Sequence, residues 1–187
     1  MITIDKTLSL LDESLLFLSK KKRYAPDNDD IWSMHLNWQV YKWALGEELR
    51  SGRFVFSPCK VIEYKPNKYL HSFRIQDMLV LKALAMALDQ TLPKSPLCYS
   101  WKGHGGVAKA LKDIGHTQNV NYFVKTDVSD YYASLDHFRI LQQLEPYIGC
   151  DQTRRLIYLA IKSGRVKSVY QEEARYLMCS ATSTYMA

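Results

Sequence analysis

The stretch "RFVFSPCKVIEYKPNKY" (53–69) decides the fold class of this chain. It is rich in β-branched and aromatic residues on either side of Ser57-Pro58, and this pattern predicts two short strands that end at a basic turn. Helical patterns lie both before and after it, so the strands are inserted into a mainly helical chain. That order favours a helix-rich α+β domain with a small mixed or antiparallel sheet over a doubly wound sheet.

Upstream of the strands, the apolar pattern predicts two helices. Leucines recur at helical spacing from Leu8 to Leu18 and indicate one amphipathic helix, which the charged loop "SKKKRYAPDNDD" (19–30) ends. A second helix is predicted over residues 31–49, and it ends near Gly52. The basic run within the loop is typical of a solvated surface.

Downstream, four further helices are predicted, over residues 75–89, 103–115, 134–146 and 150–163. The second of these opens from a glycine-rich turn. The segment "VNYFVKTDV" (120–128) is the strongest strand pattern in the chain, and "RVKSVYQ" (165–171) is a weaker one.

Length and composition bound the function. A chain of 187 residues is about one domain and can bury a core. Hydrophobic residues make up 47% and charged residues 24%, which excludes an intrinsically disordered chain. Lys and Arg outnumber Asp and Glu by 25 to 19, and the resulting net charge of +6 favours polyanionic partners such as nucleic acid.

Cysteine spacing and hydropathy indicate the compartment. The four cysteines lie far apart without metal-ligand spacing, so neither a zinc site nor a disulfide framework is predicted, and a reduced cytoplasm fits. The longest apolar stretch, "MLVLKALAMAL" (78–88), is interrupted by Lys82 and is too short to span a bilayer. We therefore expect a cytoplasmic protein without a membrane role.

A carboxylate, Asp127, ends the strongest predicted strand within "VKTDVSDYYASLDHF" (124–138). Asp is common where strands end, so the residue alone favours a turn slightly over a metal ligand. Asp136 has a structural explanation, because it falls in the first turn of a helix for which Ser134 is the expected N-cap. Asp127 and the tyrosine pair after it have no such explanation.

The segment "VKTDVSDYYASLDHFRIL" (124–141) resembles the first catalytic motif of reverse transcriptases, in particular the bacterial ones related to group II intron and diversity-generating enzymes. The stretch from "LGEELRSGRFVF" to "AMALDQTL" (45–92) is similar to their fingers region. The segment "CYSWKGHGGVAKALKDI" (98–114) is similar to their glycine-rich segment. Together these matches cover roughly residues 30–140 in order.

The resemblance implies a right-hand polymerase fold. An N-terminal helix and basic loop would occupy residues 1–28, the fingers 29–118, and a partial palm with the first catalytic motif 119–187. The implied activity is template-directed addition of dNTPs, with an RNA template and a DNA primer. Two Mg²⁺ ions, or Mn²⁺ in their place, would serve the phosphoryl transfer.

The resemblance also assigns roles around the motif. Asp127 would be the catalytic carboxylate and would hold Mg²⁺ together with the backbone carbonyl of Val128. The backbone amide of Asp130 would meet the nucleotide triphosphate. Tyr132 would lie under the sugar and exclude a 2′-hydroxyl, so that deoxynucleotides are selected.

Basic residues upstream would bind phosphate. Lys68 and Arg74, with Lys65 behind them, match the part of the fingers that closes over the triphosphate. Taken singly, each is more often a solvated surface residue. In the glycine-rich turn, the predicted contacts to template or primer backbone are Lys102, His104 and Gly105.

The sequence departs from the family in its later motifs. The family needs further carboxylates from a Y-x-D-D hairpin, but the adjacent pair Asp29-Asp30 lies in a polar loop with no apolar strand before it. The segment "SATSTYMA" (180–187) is only a weak echo of the segment that precedes that hairpin. We therefore expect the chain to be catalytically incomplete alone, with a C-terminal half supplied in trans as one further partner.

Two other functions stay open. The first is a nucleic-acid-binding module that derives from a reverse transcriptase and does not polymerise. The second is an unrelated basic α+β domain, which the ordered upstream matches disfavour.

Overall fold

A computed structural model describes residues 1–65, 68–116, 122, 124–128 and 135–163, and it gives the backbone alone at 61, 64 and 68–71. The described helices are α1 Ile4–Ser9, α2 Leu11–Lys21, α3 Asp30–Leu36, α4 Trp38–Arg50, α5 Ile75–Thr91, α6 Gly106–Gly115, α7 His137–Leu144 and α8 Asp151–Ser163. Strands β1 Lys60–Lys65 and β2 Lys68–Ser72 pair antiparallel. The described part of the chain is therefore helix-rich with a small antiparallel sheet.

The helices upstream of the strands are four rather than the two predicted. The leucine pattern is buried as expected, but the first helix breaks at Leu10, where φ is −95° and ψ is 0°. The second breaks at Asn37, with φ −107° and ψ 29°. Neither break carries proline or glycine, so the apolar spacing continues through both and conceals them.

Helix α5 is the centre of the core, and its predicted position is confirmed. Leu79, Val80, Ala83 and Ala87 have no exposed surface, and the helix packs against α1 and α2. An apolar helix without a strong one-sided pattern is typical of burial on several faces. Among the described residues, no helix combines the length and apolarity needed to cross a membrane.

The C-terminal helices are joined to the N-terminal layer through Ile2. Its N–H donates to the Tyr147 carbonyl at 2.6 Å, and its carbonyl accepts from the Gly149 N–H at 2.8 Å. Helix α8 then buries Leu156 and Ile157 in the same core. The helix predicted over 150–163 is confirmed.

The two strands lie later than predicted, since both follow Pro58. The segment before it alternates as a strand would, with Phe54 and Phe56 buried and Val55 exposed. The backbone N–H of Phe54, however, donates to the Glu48 carbonyl at 3.1 Å, and not to a neighbouring strand. The alternation thus reflects two phenylalanine rings packed edge to face in the core, with centroids 5.0 Å apart.

The strand predicted over 120–128 is wrong for the residues that the structure describes, 122 and 124–128, which lie in no strand. Their apolar side chains are open, with Tyr122 89%, Val124 80% and Val128 61% exposed. A strand needs a neighbour to accept its backbone hydrogen bonds, and no described residue pairs with this segment. The pattern predicted over 165–171 lies outside the described residues.

The N-cap of α7 is Asp136, not the predicted Ser134, which lies outside the described residues. The Asp136 carboxylate accepts from the Phe138 N–H at 2.9 Å and from the Arg139 N–H at 3.4 Å. A carboxylate satisfies two orphan amides and also meets the positive end of the helix dipole. The structural role predicted for Asp136 holds, but it is the N-cap itself, two positions earlier relative to the helix start than predicted.

Candidate nucleic-acid interface

A basic hairpin, β1 and β2 with Lys65 and Lys68 at its closed end, projects from the helical core. The register pairs Lys60 with Ser72 at the open end and Lys65 with Lys68 at the closed end, with an irregularity between Glu63 and Lys65. Lys65 is exposed. The exposed charge of Lys65 is therefore open to an anion at this end of the hairpin.

Arg74 belongs to the same unit as the hairpin. It follows β2 after the buried Phe73 and is the N-cap of α5, with φ −62° and ψ 152°. An arginine has no acceptor with which to cap the first helical amides, and its charge faces the positive end of the helix dipole. Helix stability therefore does not explain this exposed cation, whereas a bound anion would.

Three of the predicted phosphate-binding cations take part in no salt bridge in the part of the chain that the structure describes, although the charge of Arg74 acts on the nearby Asp77 carboxylate. Within the described residues, Lys65, Arg74 and Lys102 form no salt bridge. Other lysines do form one with a carboxylate: Lys22 with Asp29 at 2.7 Å, Lys42 with Asp12 at 2.7 Å, and Lys94 with Asp89 at 2.9 Å. The charges of Lys65 and Lys102 are thus available for an external anion.

A buried carboxylate, Asp77, lies in the first turn of α5, three residues after Arg74. Only 3% of Asp77 is exposed, and its Oδ2 accepts from the Ser57 backbone N–H at 3.2 Å. Burial raises the pKa of Asp77 above its ordinary value, while the Ser57 amide and hydroxyl and the charge of Arg74 partly offset that rise. The sequence analysis missed this residue, although an Asp three positions after Arg74 within an apolar helix was a visible signal.

The glycine-rich turn opens into α6 as predicted, because its glycines adopt left-handed backbone. Gly105 is the N-cap of α6 with φ +85°, and a Cβ there would lie 2.7 Å from Lys109 Cβ. The Gly106 N–H donates to the Tyr99 carbonyl at 3.1 Å, and the Tyr99 hydroxyl donates to Asp113 Oδ2 at 2.8 Å. Tyr99, which precedes the turn, is thereby hydrogen-bonded to both the first turn and the last turn of α6.

The predicted backbone contacts lie on this turn. Lys102 is exposed and His104 is partly exposed, two residues apart. The first amides of α6 lack intrahelical acceptors, and this helix start carries no side-chain cap. A phosphate could accept from those amides with Lys102 beside it.

Asp127, the predicted metal ligand, is exposed and lies outside any strand. Its Oδ1 accepts from the Val128 backbone N–H at 2.9 Å. With the Val128 carbonyl it supplies two oxygen donors, a type that suits Mg²⁺, but the described residues contain no group of three His, Cys, Asp or Glu that could hold a metal ion. Asp127 and the Val128 carbonyl would supply part of such a site. The other two residues predicted around this motif, Asp130 and Tyr132, lie outside the described residues.

The three predicted triphosphate contacts, Lys65, Lys68 and Arg74, lie on one continuous segment that runs from β1 to the start of α5. Lys65 and Lys68 are register partners, and Arg74 follows β2. The turn that contains Lys102 is on a second segment, and Asp127 is on a third. No protein-family model matches the chain, and no curated protein matches it significantly.

Proposed function

We propose that this chain is the N-terminal portion, fingers and first part of the palm, of a cytoplasmic RNA-directed DNA polymerase. Its basic hairpin and Arg74 bind phosphate groups of the incoming nucleotide and of the template–primer duplex, and the turn with Lys102 contacts template or primer. The single observation that supports this assignment is the placement of Lys65, Lys68 and Arg74 on one projecting unit.

The electrostatics of that unit favour phosphate as the ligand. The exposed Lys65 at the closed end of the hairpin and Arg74 at a helix N-terminus place positive charge on this unit. Bound phosphate groups offset this positive charge, and more than one is needed because Lys68 lies about 14 Å along the strand from Ser72. Such binding weakens as salt rises, since it releases counterions from the nucleic acid.

Asp127 and the Val128 carbonyl would hold Mg²⁺ in the proposed polymerase. A bound ion would neutralise phosphate charge during nucleotidyl transfer. Further carboxylates would come from a Y-x-D-D hairpin that the 187 residues do not contain. The chain alone would therefore bind nucleic acid without extending a primer.

The experiment combines binding with primer extension. Fluorescence anisotropy with a labelled RNA–DNA duplex should show an affinity that falls between about 50 and 200 mM salt. An affinity independent of salt would contradict a basic interface. Primer extension with Mg²⁺ and dNTPs should give no product from the chain alone, and product formation would contradict the proposed incompleteness.

A second candidate is a nucleic-acid-binding module that does not polymerise. It is supported by the fact that the exposed cations lie on the hairpin and α5, so that binding requires nothing from Asp127. The coding sequence that follows Ala187 in the gene distinguishes the two candidates. An apolar strand ending in adjacent aspartates after Ala187 favours the polymerase, and Asp127→Ala should then abolish extension by the combined protein while Asp136→Ala leaves it.

A further inference from the structure

Asp77 is buried, which is costly for a carboxylate, and the nearby charge of Arg74 offsets that cost only in part. It is 3% exposed, and no salt bridge reaches it within the described residues. An exposed Asp would serve the helix dipole equally well. What burial adds is the contact between Oδ2 and the Ser57 N–H, which joins α5 to the segment that leads into β1.

Both ends of the hairpin leave the core near this contact. β1 starts at Lys60, three residues after Ser57, and its register partner Ser72 lies three residues before Ile75. From Ser72 to Lys68 the strand rises about 14 Å, at about 3.4 Å per residue. Lys65 and Lys68 therefore lie at the far end of the hairpin, and Asp77 lies near its base.

The hairpin depends on that base for its direction. The two strands contact chiefly each other, and a two-stranded hairpin is marginally stable by itself. A rotation of about 10° at the base would move the closed end by about 2.4 Å over this length, which exceeds the tolerance of a hydrogen bond. Phe56 and Phe73 anchor the base through apolar contact, and Asp77 supplies the directional polar bond.

We propose that Asp77 is a positioning residue that fixes the base of the basic hairpin at the N-terminus of α5, so that Lys65, Lys68 and Arg74 address one polyanion. This proposal rests on the proposed phosphate-binding function of those cations. Asp77 does not touch the nucleic acid. It acts through the Ser57 amide and fixes where the hairpin leaves the core.

The test uses the full chain with Asp77→Ala, which removes the acceptor, and Asp77→Asn, which keeps an acceptor oxygen. Asp136→Ala is the matched control, because it removes a carboxylate that also accepts backbone amides, on another helix. Hydrogen exchange of hairpin and α2 amides is measured together with affinity for a labelled RNA–DNA duplex. These two readouts separate hairpin placement from overall stability.

For Asp77→Ala, hairpin amides should exchange about tenfold faster, the equivalent of one unsatisfied amide, while α2 amides stay protected. Duplex affinity should fall about fivefold. Asp77→Asn should restore both readouts, and Asp136→Ala should change neither. Rescue by Asn would show that the hydrogen bond, rather than the charge, is responsible.

Three results would overturn the proposal: unchanged hairpin exchange in Asp77→Ala, equal acceleration in the hairpin and α2, or no rescue by Asn. Failure of the proposed function gives a different result. In that case Lys65→Glu leaves duplex affinity unchanged, while hairpin exchange in Asp77→Ala still reports whether Asp77 holds the hairpin.

Discussion

The Lys22 Nζ lies 2.7 Å from Asp29 Oδ2, and Oδ1 of the same carboxylate accepts from the Ile31 N–H at 3.0 Å. Asp29 is thus at once the N-cap of α3 and the partner of a lysine just beyond the end of α2. The hydrogen bond from Lys22 lowers the pKa of Asp29 below its ordinary value. A loop that looked like an unstructured charge run is held by this carboxylate.

Asp29→Ala should destabilise the protein by about 1 to 2 kcal/mol, since it removes both a cap and an ion pair. The folded-state pKa is lowered, so this stabilisation is present above the ordinary value of 3.8 and is lost as pH falls through the folded-state pKa. Urea unfolding at pH 7 and at about pH 3 should therefore show a smaller difference between wild type and variant at the acid pH.

Asp30→Ala is the matched control for Asp29→Ala. It removes the neighbouring carboxylate, which lies in the first turn of α3 and accepts no capping hydrogen bond. The expected loss is under about 0.5 kcal/mol. Equal losses from both variants would mean that general acidity of the loop, and not the cap, is what stabilises it.

Helices could be predicted well from apolar spacing where burial alone decides them. Helix α5 matches its prediction within two residues, because its leucines and alanines face the core on several sides. The breaks at Leu10 and Asn37 could not be predicted, since they depend on how neighbouring helices pack rather than on a local breaker.

Strand pairing was harder to predict, because alternation reports burial and not a partner. Phe54 and Phe56 alternate into the core without pairing, and residues 124–128 read as a strand without a neighbour among the described residues. The contact of Asp77 with Ser57 spans 20 positions, so no local pattern signals it. The prediction placed Lys65 and Lys68 after both strands, whereas the register makes them partners at the end of β1 and the start of β2.

Asp77→Asn should change the pH dependence of stability in the direction opposite to Asp29→Ala. Burial raises the folded-state pKa of Asp77, so its favourable contribution is complete below 3.8 and is lost as pH rises through that raised pKa. The Asn variant does not ionise and keeps an acceptor for Ser57. The free energy of unfolding of Asp77→Asn, relative to that of wild type, should therefore increase from about pH 3 to about pH 7. Urea titration measures this difference.

A constant difference between Asp77→Asn and wild type across that range would show that Asp77 titrates normally in the folded protein. Asp113→Asn is a suitable comparison, because Asp113 is an exposed carboxylate on α6. A change of the pH profile in Asp113→Asn as large as that in Asp77→Asn would mean that the lost charge, and not burial, is responsible. The pair of variants separates the effect of burial from that of losing one negative charge.

Lys65→Glu and Arg74→Glu should each weaken binding of an RNA–DNA duplex by about fivefold, equivalent to about 1 kcal/mol for a partly solvated phosphate contact. Each should also reduce the slope of log affinity against log salt by about one. Lys162→Glu in α8 makes the same charge change at an exposed lysine away from the hairpin. If it weakens binding equally, net charge and not the basic hairpin would account for the affinity.

Gly105→Ala should destabilise the start of α6. The backbone there has φ +85°, and the new Cβ would lie 2.7 Å from Lys109 Cβ, so both strain and a steric clash oppose the substitution. We expect a loss of about 1 to 3 kcal/mol, confined to α6 and the turn with Lys102. Hydrogen exchange should detect it as faster exchange in residues 106–115, with α5 unchanged. Gly115→Ala is the control, because a Cβ there meets nothing within 4 Å, and it should leave exchange unchanged. A similar effect from both variants would mean that α6 responds to any added methyl group. The left-handed backbone at Gly105 would then not be the cause.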